Sequence, residues 1–361
     1  MGKLVIDLGA LTRNYRQIQT MTGAGCNVAA VVKANAYGCG LAAVAGALHA
    51  AGAQEFFVAT LPEALELRTI IDEASRIYVL NGFNHTHGDL YMQENIIPVL
   101  SSMPEIQSYV ALAAETGHKL PAIIHIDTGM NRLGLESADI ENLASAPEVL
   151  AGLDLHYVMS HFACADEQDH SMNAAQYEAF KQAAKTFPGV KMSLANSSGV
   201  FRSHDYYFDM VRPGMCLYGL NPLPEADNPM HPVVKLDVPV LQIRQAQKGE
   251  TCGYGATHRF EKPANLAVVS MGYADGFLRS LSNKGVLYWK DYKCPVRGRV
   301  SMDLTIVDLS AVPDNELPGP GDMLEVIGTH QSADDVAEAC GTIGYEILTS
   351  LSRRYQRIYK D

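Results

Sequence analysis

No window of this sequence offers the ~18 consecutive charge-free apolar residues that a membrane-spanning helix requires. The N-terminal run Leu4-Val5-Ile6 is broken by Asp7, with Arg13 soon after, so it carries no signal-peptide core and a cytoplasmic protein is expected. The seven cysteines (Cys26, Cys39, Cys164, Cys216, Cys252, Cys294, Cys340) are scattered, odd in number and never spaced C-x-x-C. That argues against a disulfide framework and a zinc site, and reduced thiols are the default. Basic residues are also in deficit: 28 Lys and Arg against 40 Asp and Glu give a formal charge of -12. A polyanion partner needs clustered cations, so nucleic acid is not expected. No Gly-rich phosphate turn follows the first predicted strand, which argues against an open doubly wound dinucleotide fold.

What is present is apolar material in a regular order. Hydrophobic residues make up 47% of 361 positions, enough for a large core and, at this length, for two domains. Up to about residue 220, eight short β-type runs alternate with stretches of helical spacing. They are residues 28–32, 56–59, 77–80, 96–100, 123–127, 153–160, 192–195 and 209–212. Eight strand–helix units predict an α/β fold whose N-terminal part is a (β/α)8 TIM-type barrel, here residues 1–225. From Asn221 the texture changes to proline punctuation, Asn221-Pro222-Leu223-Pro224 and Asn228-Pro229-Met230-His231-Pro232. Short strands separated by turns follow, so residues 226–361 are expected to form a mostly-β domain. One helix is expected from Ser332, with Asp335 completing a capping box, to a stop at Gly341.

Chemistry-bearing residues cluster at the predicted strand ends. Val28-Ala29-Ala30-Val31-Val32 runs into Lys33-Ala34-Asn35-Ala36-Tyr37-Gly38; the fifth strand into Asp127-Thr128-Gly129-Met130-Asn131-Arg132; the sixth into Ser160-His161. The seventh ends in Asn196-Ser197-Ser198-Gly199 and the eighth in Arg212-Pro213-Gly214. Each has an ordinary structural explanation: a rim lysine, a core histidine, surface arginines, a helix-capping serine. Five polar constellations at five ends of one barrel face, the face where such barrels do chemistry, point instead to a site.

Val31-Val32-Lys33-Ala34-Asn35-Ala36-Tyr37-Gly38 and Ile126-Asp127-Thr128-Gly129-Met130-Asn131-Arg132-Leu133-Gly134 resemble the two hallmark segments of the alanine racemase family. Gly253-Tyr254-Gly255, Gly272-Tyr273-Ala274-Asp275-Gly276, Gly298-Arg299-Val300-Ser301-Met302-Asp303 and Ile343-Gly344-Tyr345-Glu346 match in the same order, so the resemblance spans nearly the whole chain. It implies a racemase dependent on pyridoxal 5'-phosphate (PLP), acting on alanine as a homodimer with shared sites and supplying D-alanine for peptidoglycan. By the same resemblance Lys33 holds PLP and serves as the D-face base, and Tyr254 is the L-face base reaching in from the partner subunit. Tyr37, Ser197, Gly214, the backbone of Met215 and Tyr345 are expected to hold the phosphate, Arg212 the ring nitrogen and His161 a place beside the ring. Arg132 is assigned to the PLP phenolate and substrate carboxylate, with Tyr273, Met302 and Arg279 at the entrance.

Three positions depart from the family pattern. Cys39 replaces a common histidine, His125 replaces a carbamylated lysine found in some relatives, and Ser193 stands where some have a histidine supporting the arginine at position 212. The negative partner of Arg132 is therefore Asp127, another acid or a bound anion. Rivals to the main reading are a serine or broad-specificity racemase on the same scaffold and, outside enzymes, a PLP-binding regulatory protein. The second domain argues against the latter.

Overall fold

The computed structural model describes residues 1–361. The first barrel stave is split at Ala29, and that split closes the barrel. Asn27–Val28 pairs in parallel with Met210–Val211, whereas Ala30–Val31 pairs with Phe56 and Phe57 on the other side. Ala29 N donates to Val211 O and Val32 N to Phe57 O, so one extended segment is bonded to both neighbours. The remaining staves follow in chain order: Glu55–Val58, Arg76–Val79, Ile96–Leu100, Leu120–His125, Leu153–Met159, Lys191–Ser193 and Met210–Val211. All are parallel. The eight-unit barrel expected from the sequence is the one observed. Its staves are short, and bulky residues such as Phe56, Phe57, Tyr78 and Tyr157 on them are almost fully buried.

The second unit is built on the long strand Val234–Ala246, which bends at a bulge between Val240 and Gln242. Its first half joins a sheet ordered Tyr292–Pro295, Val286–Trp289, Met323–Ile327, Val234–Ala246, Lys3–Asp7, Gln356–Lys360; its second half pairs with Ala264–Val269. Neither Lys3–Asp7 nor Gln356–Lys360 was expected as a strand. They pair with each other in parallel, so the first and last strands of the chain lie side by side in this sheet. The expected helix spans Ala333–Cys340, with Ser332 Oγ accepting from Asp335 N and a left-handed Gly341 ending it. A further helix, Gly344–Ser350, carries Tyr345 back to the barrel mouth. One continuous apolar core joins the barrel and the β unit.

Candidate active site

The cavity at the C-terminal mouth of the barrel measures about 540 Å³. Lys33, Tyr37, Arg132, His161, Ser197, Arg212, Gly214, Met215 and Tyr345 all line it. The structure thus brings together every site residue expected from the barrel, with Tyr345 supplied by the second unit.

Lys33 ends the first stave and opens an unusual turn. Ala34, Asn35, Ala36 and Tyr37 all have φ between 52° and 55°, four consecutive non-glycine residues in the left-handed region. Such backbone costs about 1–2 kcal/mol per residue, and strain of this kind persists only where surroundings over-determine it. The anchors are visible. Ala34 N donates to Glu63 Oε1 at 2.7 Å, Leu41 N to Asn35 Oδ1 at 2.8 Å, and the Arg357 guanidinium to Gly38 O at 2.9 Å. Gly38 is required here, because a Cβ would lie 2.2 Å from Leu348 O. The result is that Tyr37 stacks on Tyr218 at 4.5 Å and stands beside Gly214, where a Cβ would fall 2.4 Å from the Tyr37 hydroxyl. Burial first, and then Arg132, pulls the Lys33 amine below its ordinary value, with Glu63 opposing.

Arg212 is buried and held from several sides. Its terminal nitrogens donate to Ser193 Oγ, to Ser160 O at 2.5 Å and to Leu194 O at 3.3 Å, while Ser193 Oγ donates to Met210 O at 2.7 Å. Ser193 therefore supports the arginine as the expected histidine would. Nε makes no hydrogen bond within the protein and is not sealed from the cavity. Burial lowers the guanidinium to about 9, still charged at neutral pH, so it can only donate. His161 Nδ1 lies 3.4 Å from an Arg212 nitrogen and must accept, which puts the ring proton on Nε2. Burial, then Arg212 and Arg132, keep this histidine neutral, well below its ordinary value.

Asp127 does not balance Arg132. Its two oxygens accept from the amides of Gly129, Met130 and Asn131, shaping the turn that carries the arginine. Arg132 joins no ion pair in the chain. His125 is buried against Ser101 Oγ at 3.4 Å and pushed down to about 4, by burial first and then by Arg212 and Arg132. It is neutral and supplies no counter-charge.

Tyr254, Tyr273 and Met302 are not in this cavity. With Arg279 and Arg299 they line a separate hollow of about 210 Å³ on the β unit. Tyr254 is 72% exposed. Sequence reasoning missed Glu63 and Gln176. Glu63 had a visible signal, as the third residue of a proline-started helix; Gln176 had none, because its partners lie far away in the chain.

The donor set fits a flat anionic cofactor. An amine, a guanidinium Nε open to the cavity, an unpaired arginine and the Ser197–Gly214 cradle beneath a tyrosine hydroxyl face one space.

Comparison with known proteins agrees with that chemistry. Residues 6–222 match the family model described as alanine racemase, N-terminal domain, and residues 233–359 match alanine racemase, C-terminal domain. A catabolic alanine racemase of Agrobacterium fabrum is 45% identical over 358 residues, covering 99% of this chain and 92% of the relative. An alanine racemase of Brucella abortus is 42% identical, covering 99% and 93%. The crystal structure of alanine racemase from Bartonella henselae with covalently bound pyridoxal phosphate superposes with a TM-score of 0.96 at 42% identity, covering 99% of both chains. The biosynthetic alanine racemase of Pseudomonas aeruginosa gives 0.92 at 35% identity, covering 100% of this chain and 99% of that one.

Proposed function

The chain belongs to the alanine racemase family, a PLP-dependent family of amino-acid racemases, and we propose that it interconverts L- and D-alanine with two bases, Lys33 and Tyr254. The observation that carries this reading is the convergence of Lys33, Arg132, His161, Ser197 and Arg212 in one cavity. Bound PLP supplies the electron sink that acidifies the Cα proton. Lys33 would hold the cofactor, and its amine as free base would take or return the substrate Cα proton on the D face. The lowered affinity of its amine for protons favours the free base. Tyr254 of the partner subunit serves the L face, with the partner's Tyr273 and the partner's Met302 at the entrance. Tyr37, Ser197, Gly214, the Met215 backbone and Tyr345 hold the phosphate, and His161 packs beside the ring. Arg132 steadies the phenolate and the substrate carboxylate.

Arg212 decides the reaction's character. A guanidinium that stays charged offers only a donor, so Arg212 would hold the cofactor's ring nitrogen as an acceptor without a proton. That moderates the electron sink and favours return of the proton over side reactions. The enzyme acts as a cytoplasmic homodimer; the scattered free cysteines support the compartment. We assign it the supply of D-alanine for peptidoglycan. A catabolic role is the second reading, favoured by the printed names of the relatives at 45% and 44% identity. Gene deletion separates them: a D-alanine requirement marks supply, failure to grow on alanine marks catabolism.

The decisive experiment is a chiral assay on alanine, serine and lysine, with solvent-deuterium exchange followed by NMR in wild type and Tyr254→Phe. Borohydride reduction should fix PLP to the peptide containing Lys33. In Tyr254→Phe, D-alanine should still exchange on the Lys33 face, whereas exchange into L-alanine and racemisation should fall ~10²- to 10⁴-fold. Equal residual exchange of both enantiomers with undiminished racemisation overturns the assignment of Tyr254.

A further inference from the structure

Glu63 is the third residue of the helix Leu61–Arg68, and capping that helix occupies only one of its two oxygens. Oε2 accepts from the amides of Ala59 at 2.8 Å and Thr60 at 3.2 Å, at the end of the second stave. Oε1 leaves the helix altogether and accepts from Ala34 N at 2.7 Å, the amide immediately after Lys33. One carboxylate therefore ties the ends of the first two staves together across the mouth of the barrel. It does so where the backbone is most strained, at the first residue of the left-handed turn Ala34–Tyr37. Without a tether at its start, that turn has every reason to relax, and Lys33 would move with it.

The charge matters as well as the bond. The charged and titratable groups that line the cavity with Lys33 are Arg132 from the fifth stave's loop, His161 and Arg212 from the sixth and eighth staves, His125 from the fifth, Tyr37 from the turn and Tyr345 from the second unit. Arg212 stays cationic and both histidines are neutral. Glu63 is the carboxylate that opposes Arg132 at the lysine.

We propose that Glu63 is a positioning residue for Lys33, bracing the strained turn against the second stave and holding a fixed negative charge beside the lysine. This rests on the reading of Lys33 as the cofactor-bearing D-face base. A plain capping glutamate would stabilise its own helix and nothing more.

The test uses holoenzyme of wild type, Glu63→Gln and Glu63→Asp, with hydrogen exchange resolved by peptide and kcat and KM for D-alanine measured across pH. In Glu63→Gln, exchange over residues 33–38 should rise roughly 10-fold while the rest of the barrel is unchanged, because a charge-assisted bond to a local opening unit is lost. The acid limb of kcat should move to lower pH, since removing a negative charge favours the free amine. kcat should fall roughly 10-fold with KM changed less, the signature of a misplaced base. Glu63→Asp keeps the charge and shortens the reach, so it should restore the limb while leaving exchange raised. A lower melting temperature with extra exchange confined to residues 61–68 and an unmoved limb overturns the proposal, as does the loss of either the local exchange or the limb shift in Glu63→Gln. Failure of the underlying reading shows separately, as borohydride fixation of PLP at a lysine other than Lys33 in the wild type.

Discussion

Burial makes His125 the clearest pH sensor in the fold. Its ring binds a proton at about pH 4 in the folded state and near 6.5 when exposed. Above 6.5 both states are neutral and the difference has no effect. As pH falls from 6.5 towards 4, the unfolded chain takes up a proton that the folded chain refuses, so stability is lost across that window. Each tenfold difference in proton affinity is worth about 1.4 kcal/mol, so the gap amounts to roughly 3 kcal/mol. His125→Asn should flatten thermal stability between pH 6.5 and 4 relative to wild type, leaving the like-signed contribution of His161. An unchanged slope would show that His125 binds its proton equally well in the folded and unfolded states. The same neutrality bears on Arg132: a histidine that carries no charge cannot stand in electrically for a carbamylated lysine, and Asp127 is committed to three amides. That Lys33, Arg132, His161, Ser197 and Arg212 reach the barrel mouth was legible from strand ends, and Tyr345 only from the family resemblance; this balance of charge was not, because it depends on side-chain contacts that spacing does not encode.

At the scale of the element, the site depends on Gln176 of the helix Ser171–Ala184, a fully buried side chain far from any signature. Its Nε2 donates to Thr128 Oγ1 at 3.1 Å and to His161 O at 2.9 Å, and its Oε1 accepts from Ala163 N at 2.9 Å. Thr128 Oγ1 in turn lies 2.8 Å from Ser160 Oγ, and Ser160 O accepts from Arg212. One amide thus locks the Arg132 loop to the strand end that orients His161 and Arg212. Gln176→Leu keeps the bulk and strands these partners, each buried unsatisfied group costing about 1–3 kcal/mol. We expect a loss of several kcal/mol in urea unfolding and, with Arg132 proposed as the substrate's carboxylate anchor, a raised KM; unchanged stability and KM would show that water replaces the amide at no cost. The contrast with the helix Ala333–Cys340 is instructive. Its capping box is local in sequence and was readable there. Lys3–Asp7 and Gln356–Lys360 were not, because their pairing partners lie at opposite ends of the chain and each strand is too short to show a period by itself.

Across the whole molecule, the two proposed bases sit on different units and line different cavities. On the proposed assignment, the barrel mouth of one chain supplies Lys33 and the hollow on its β unit supplies Tyr254. On that assignment each half is incomplete, and the proposed shared site has the hollow of one subunit covering the mouth of another. A two-fold dimer does this twice, by the self-complementarity of an isologous interface. This arrangement predicts complementation. Lys33→Ala and Tyr254→Phe chains are each inactive as racemases when alone, since every site in either homodimer lacks a base. Co-refolded or co-expressed with distinct tags, half of the random dimers are hybrids. In a hybrid, one site combines both lesions and the other combines wild-type Lys33 with wild-type Tyr254. Purified through both tags in series, hybrid dimers should recover about half of the wild-type turnover, one competent site in two. Both bases acting within one subunit would leave the hybrid as inactive as its parents, because each chain would then carry its own lesion into its own site. A hybrid shown intact by both tags and by size, yet without racemase activity, therefore refutes the shared site, and no change in folding of either chain can mimic the positive result.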